Sequence, residues 1–176
     1  MKLEQTAIHE AGHVVVSYLL GLACNEVALT PHGQVEEMDE YGHVTHPNPA
    51  YGYKHGSLHE RQRTLRDACI ACCAGLAAEH VFFKVPLDTD NENSQSDFHN
   101  IIECESNGLR IRGKRGGYVG DEATWRYIGR QLLKAKKLVQ DHRDTIQRVA
   151  DILIERKRLS SEEVTKLLNE LMPNET

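Results

Sequence analysis

The 176-residue chain has no apolar stretch long enough to cross a bilayer. Its run Val14–Cys24 falls well short of the roughly 20 residues a spanning helix needs. That run ends Leu22-Ala23-Cys24, like a lipoprotein leader, but Glu4, Glu10 and two histidines stand where a leader is basic and then apolar, so no cleaved signal is expected. Excess positive charge is also missing. The net charge is −5 with 27% charged residues, which leaves no basic field for nucleic acid. A disulfide framework is absent too: the five cysteines are an odd number. Cys69, Cys72 and Cys73 contain a CxxC spacing, yet with Leu65 and Leu76 they follow helical periodicity and read as small core residues in a reducing cytoplasm. Finally, there is no phosphate-binding loop. Arg112-Gly113-Lys114-Arg115-Gly116-Gly117 lacks the Lys-Ser/Thr ending, and only Tyr118 is near as an aromatic, so it reads as a solvated connector. No internal repeat is visible. The expectation is one soluble domain, 1–176, large enough to bury its own core.

Against these absences stands His9-Glu10-Ala11-Gly12-His13. Two histidines four apart share one face of a helix, so both imidazoles can grip one ion, with Glu10 beside it. Zinc held by three protein ligands lowers the pKa of a bound water to about 7, and a neighbouring carboxylate can take its proton. The spacing is that of a zinc-dependent peptidase. Composition alone would produce it in about one shuffled chain in twenty, so context has to decide. Ile8, Val15, Val16, Leu19 and Leu20 supply the apolar periodicity of a helix over 3–21, with Gly21 as its stop. The bland alternative is a core helix with two incidentally buried histidines, but two imidazoles and a carboxylate on such a helix are costly to bury without partners.

The rest of the chain reads as mainly helical with one small β-element over 25–46. Asn25–Thr30 and Tyr41–Thr45 are short strands bounded by Pro31, Pro47 and Pro49, as suits an exposed edge. A central helix is expected over 58–83. After an Asp- and Asn-rich loop, Ser94 caps a further helix with Asp97 in its first turn. That helix runs toward Leu109, and a loop follows over 110–120. Helices over 121–171 complete the chain, with a bend near Asp141–Arg143 and a capping box at Ser160-Ser161-Glu162-Glu163.

Two histidines leave a metal site one ligand short. The metzincin continuation is excluded, because Val16 and Leu19 occupy its Gly and His positions. Candidates for the third ligand are Asp97, Glu79 and the loop acids Asp88, Asp90 and Glu92. Glu79 lies on an apolar stripe with Cys72, Leu76 and Phe83. It could bind metal, orient a ligand histidine through its second N–H, or form a salt bridge. His55 and His59 are also four apart but lack the adjoining glutamate, and read as exposed, adventitious metal binders.

Four ordered segments add a resemblance. Thr6 through Val16 looks like the zinc-binding helix of FtsH-type ATP-dependent zinc proteases. Ala74-Gly75-Leu76-Ala77-Ala78-Glu79 resembles that family's Gly-Gly-Arg-Ala-Ala-Glu. Ser96-Asp97 resembles its Ser-Asn-Asp, and His142-Arg143-Asp144 through Leu159-Ser160-Ser161-Glu162-Glu163-Val164 resembles its C-terminal helices. The resemblance implies a mainly α FtsH-protease-like fold and one zinc held by His9, His13 and Asp97. Glu10 would be general base and later proton donor, with Glu79 orienting a ligand from behind. It also implies that Gly42, His43, Val44 and Thr45 form a strand beside the site, to which an extended substrate adds through main-chain hydrogen bonds. Unfolded segments are then the expected substrates. An ATPase acting in trans and self-association are the expected partners. The departures are the lack of an ATPase module and membrane helices, Leu76 for arginine, His80 for a second glutamate, and Asn91–Gln95 without Thr-Gly-Ala. Two rivals remain: a regulatory, partner-binding module without proteolysis, and a zinc hydrolase acting on something other than peptides. Intact His9, Glu10 and His13 argue against the first.

Overall fold

The computed structural model describes residues 3–24, 26–29, 42–45, 56–87, 95–111 and 122–173. The elements run α1 (Leu3–Leu19), β1 (Glu26–Leu29), β2 (Gly42–Thr45), α2 (Leu58–Cys72), α3 (Ala74–Phe83), α4 (Gln95–Ile111), α5 (Glu122–Asp141), α6 (Arg143–Arg156), β3 (Arg158–Ser160) and α7 (Ser161–Leu171). The fold is mainly α with one small sheet, as the sequence pattern implies.

Helix α1 is the centre of the molecule. Every residue from Thr6 to Ser17 is buried, and a helix buried on all sides must be surrounded by other elements. Helices α2, α3 and α6 and strands β1 and β2 all pack against it. The β-branched run Val14-Val15-Val16 has modest helix propensity, but its complete burial decides the local structure. The helix ends at Leu19, two residues before the expected limit. Gly21 follows with φ +68°, a conformation that favours glycine at a helix exit.

Helices α1 and α3 meet at backbone distance. A Cβ built on Gly12 would lie 2.8 Å from the Ala74 carbonyl oxygen and 2.8 Å from Ala78 Cβ. Small residues on both faces therefore let the two backbones meet. The expected single helix over 58–83 is in fact two, α2 and α3, with Cys73 at the junction. The junction lies beside Ala71, whose carbonyl accepts a hydrogen bond from His13. Cys69 and Cys73 are buried in the core and Cys72 is half-buried, in line with their helical spacing.

Strand order in the sheet is β2-β1-β3, all antiparallel. The third strand is a correction to the expected run of C-terminal helices. Lys157 turns the chain out of α6 with φ 63°, and Leu159 then pairs opposite Val27, both buried. Three residues, exposed-buried-exposed, alternate over too short a stretch to mark a strand in the sequence. Ser160 closes β3 and at once caps α7 through the expected capping box with Glu163. The bend in the long C-terminal helix falls at His142, between α5 and α6, inside the expected interval. Helix α4 extends to Ile111, beyond the expected start of the following loop. His55, the loop acids Asp88, Asp90 and Glu92, Ser94, the prolines bounding the strands and the loop 112–117 lie outside the described residues.

Because the Gly12 contact is with backbone as well as a methyl group, neither side can yield cheaply. Gly12→Ala is expected to destabilise the fold by about 1–3 kcal/mol through overpacking. Urea unfolding in the presence of a chelator, so that metal binding does not contribute, checks this.

Candidate metal centre

Three side chains from two elements converge. His9 and His13 stand one turn apart on α1, 5% and 6% exposed, with ring centroids 4.8 Å apart. Asp97, in the first turn of α4, reaches across because α4 packs on α2 and α2 packs on α1. Its Oδ2 lies 3.2 Å from His9 Nε2 and 3.2 Å from His13 Nε2, and the two Nε2 atoms are 3.1 Å apart. Among the described residues this is the one group of three His, Cys, Asp or Glu side chains placed to share an ion.

The far side of each imidazole is tied down. His13 Nδ1–H donates to the Ala71 carbonyl at 2.8 Å. A carbonyl can only accept, so Nδ1 carries a proton, and in the neutral ring the Nε2 lone pair faces the cluster. His9 Nδ1–H donates to Glu79 Oε1 at 2.6 Å. Glu79, 0% exposed on α3, thus stands behind His9 and outside the triangle. Its other oxygen accepts from Gln5 Nε2–H at 2.7 Å.

The triangle suits a small divalent ion. Tetrahedral zinc with bonds of roughly 2.0–2.1 Å separates its ligand atoms by about 3.3–3.4 Å. The three observed edges of 3.1–3.2 Å are close to one face of such a tetrahedron. Two imidazoles and one carboxylate are also a donor set that suits zinc.

Electrostatics point the same way. Burial by itself would lower the His9 pKa, but hydrogen bonds to Asp97 and Glu79 and the charges of Asp97 and Glu10 outweigh it and hold the pKa well above the ordinary histidine value. His13 is raised as well, the charge and hydrogen bond of Asp97 overcoming burial. For Asp97 burial would raise the pKa, but the two histidines pull it below the usual carboxylate range. The cluster therefore attracts positive charge, which protons or a metal ion can supply. Glu10 is 5% exposed and close enough for its charge to act on both imidazoles.

Three contributors were missed in the sequence. The most telling is Gly75 on α3. A Cβ there would fall against His9 Nε2 and 2.5 Å from His13 Nε2, so a side chain would occupy the space in front of both nitrogens. Glycine in a run of alanines facing an apolar helix is the signal for such an approach, and it also marks Gly12. Gln5 and the Ala71 carbonyl carry no such signal. Of the departures from the FtsH pattern, Leu76 is buried in the core, and His80 holds the Val85 carbonyl with Nδ1–H while Nε2 accepts from Lys136. His59 is exposed on α2.

No protein-family profile matches the chain. It is similar to the ATP-dependent zinc metalloprotease FtsH of Thermus thermophilus, 25% identical over 199 aligned positions. The match takes in 94% of this chain and 29% of the FtsH protein, so the chain spans under a third of that relative's length. The similarity supports a distant relationship to FtsH. No described helix is long and apolar enough to cross a membrane.

Two outcomes follow from the geometry. Gly75→Ala should remove most metal binding, since its methyl group takes the space in front of both nitrogens; metal content after purification and dialysis measures this. The second is a pH effect in protein stripped of metal. His9 and His13 have folded pKa values above the unfolded value of about 6.5, so their contribution to stability is full below that pH and lost as pH rises through the raised values. Asp97, depressed, contributes above its unfolded pKa of about 3.9 and loses that as pH falls. Chelated protein should thus have a lower urea midpoint at pH 8.5 than at pH 5.5. Added zinc, which needs both imidazoles neutral, should stabilise more at the higher pH.

Proposed function

We propose that this chain is a zinc-dependent metalloendopeptidase that cuts unfolded or flexible protein segments. The observation that carries the proposal is the triangle of two imidazole nitrogens and a carboxylate oxygen, 3.1–3.2 Å on each edge, with the Glu10 carboxylate beside it on the same helix. The similarity to a zinc metalloprotease over 94% of the chain supports it.

In this reading His9 Nε2, His13 Nε2 and Asp97 Oδ2 hold one zinc ion. Zinc so held supplies the Lewis acidity that brings the pKa of a water to about 7 and polarises a scissile carbonyl. The Glu10 carboxylate takes the proton of the attacking water and later delivers it to the leaving amine, so that hydroxyl ends on the carbonyl carbon and hydrogen on the nitrogen. Glu79 and the Ala71 carbonyl keep both imidazoles in the tautomer that leaves Nε2 free to ligate.

Among the described residues, strand β2, Gly42–Thr45, pairs with β1 on one side and ends the sheet order on the other. We assign it to substrate binding: an extended segment adds to it as a further strand, held mostly through its main chain. Such recognition is loose in sequence and favours chains that are already unfolded. The natural setting is cytoplasmic, with an unfolding ATPase acting in trans and assembly of several copies as the partners that would present folded substrates.

Cleavage of one protein in its folded and permanently unfolded forms tests this. The unfolded form should be cut with zinc and without nucleotide. Glu10→Gln should lose about 10²–10⁴-fold in rate while retaining its zinc. Asp97→Ala should lose zinc and activity together. A zinc-loaded chain that cuts neither form would overturn the peptidase assignment while leaving the metal centre standing.

A further inference from the structure

We infer that Gln5 is a positioning residue for the metal centre: its side-chain amide clamps Glu79 and thereby fixes the orientation of His9. The inference rests on the metal-site reading above and extends it outward by one hydrogen bond.

Glu79 projects from α3, an apolar helix whose residues Ala74 to Glu79 are all buried. A carboxylate with no solvent exposure must have each oxygen satisfied by the protein. Both donors come from α1, and they stand one turn apart. His9 Nδ1–H takes Oε1 at 2.6 Å, and Gln5 Nε2–H takes Oε2 at 2.7 Å. The positions i and i+4 on one helix face thus hold one carboxylate at two points, which fixes its plane as well as its place.

That plane matters because of what lies beyond it. His9 is held by one hydrogen bond on its Nδ1 side, and Nε2 must point at a spot shared with His13 and Asp97 within a few tenths of an ångström. A carboxylate held at one oxygen can rotate, and the imidazole it anchors can tilt with it. Held at both oxygens, it presents Oε1 in one direction only. The chain Gln5–Glu79–His9 therefore runs from half-buried Gln5, in the first turn of α1, to the Nε2 side of His9 that faces the cluster. A glutamine suits this duty because it donates without adding charge beside the metal. A lysine would donate as well but would place a cation near a site built to hold one.

The experiment measures zinc affinity by competition with a chromophoric chelator. Gln5→Met keeps length and helix preference and removes both donors; Gln5→Ala serves as a second variant. Ligand-supporting partners in direct contact with a metal-bound histidine are worth on the order of 10–100-fold in affinity, and one bond further out the expected loss is about 3–10-fold. The same substitution in a Glu79→Gln background should change the affinity by less than about a factor of two, since Gln5 acts through that carboxylate. In the metal-free protein, the His9 Nδ1–H proton, present whether the ring is neutral or charged, should resonate far downfield and exchange slowly in the wild type, and should shift and broaden in Gln5→Met. A merely structural tie between α1 and α3 would lower the urea midpoint and leave the His9 Nδ1–H resonance unchanged. Unaltered zinc affinity in Gln5→Met, or an equal loss in both backgrounds, would overturn the inference. If the wild-type chain itself bound no zinc, the metal-site reading would fail instead, and the Nδ1–H resonance would still report whether Gln5 orients His9.

Discussion

The site depends on how closely α1 and α3 can approach. At Gly12 the α3 backbone lies where any side chain would press on it, and at Gly75 the reverse holds, with α3 lying against both imidazoles. Two glycines and the alanines around them thus bring a pair of helices into backbone contact at the level of the two histidines. Glu79 then lands behind His9, because it follows Gly75 by one turn on the same helix. The junction at Cys73 turns α2 away just after the Ala71 carbonyl has met His13. Each imidazole is held by a different helix, and only a chain with almost no side-chain bulk at this crossing can hold both.

Chemistry and packing are in tension here, since the carboxyl groups of Glu10 and Glu79 and both imidazoles are buried with the apolar core around α1. Hydrophobic burial around α1 supplies the driving force to assemble them. The price is a cluster whose members are acceptable only together. His13 draws Asp97 toward its charged form, Asp97 draws both histidines toward theirs, and Glu79 is satisfied by two donors from one helix. A group of this kind favours added positive charge, which protons or a metal ion can supply.

Much of this is legible in the residues themselves. The spacing of His9 and His13 put both rings on one helix face, and the capping box at Ser160 and the bend at His142 stood where the pattern placed them. What periodicity could not supply was distance along the chain. Asp97 stood among five acids of similar standing, and only the packing of α4 on α2 brings it to α1. Gln5 looked like an ordinary polar residue near a helix start, because its partner is 74 residues away. Strand β3 escaped for a different reason. It owes its existence to the waiting edge of β1, and no local propensity distinguishes three residues between two helices.

That late strand has a bearing on how the protein is made. β1 begins at residue 26 and its partner β3 at residue 158, while α6, which covers α1, precedes β3 directly. At a synthesis rate of roughly 5–20 residues per second, α1 leaves the ribosome on the order of 10 s before the segments that bury it. Contacts between such distant parts of a chain also form slowly once both exist. During that interval the apolar surface of α1 and the His9–His13 pair are open to water and to whatever binds them. An apolar helix left open in this way is the kind of surface that chaperones shield, and His9 and His13 are exposed together before Asp97 can pack beside them.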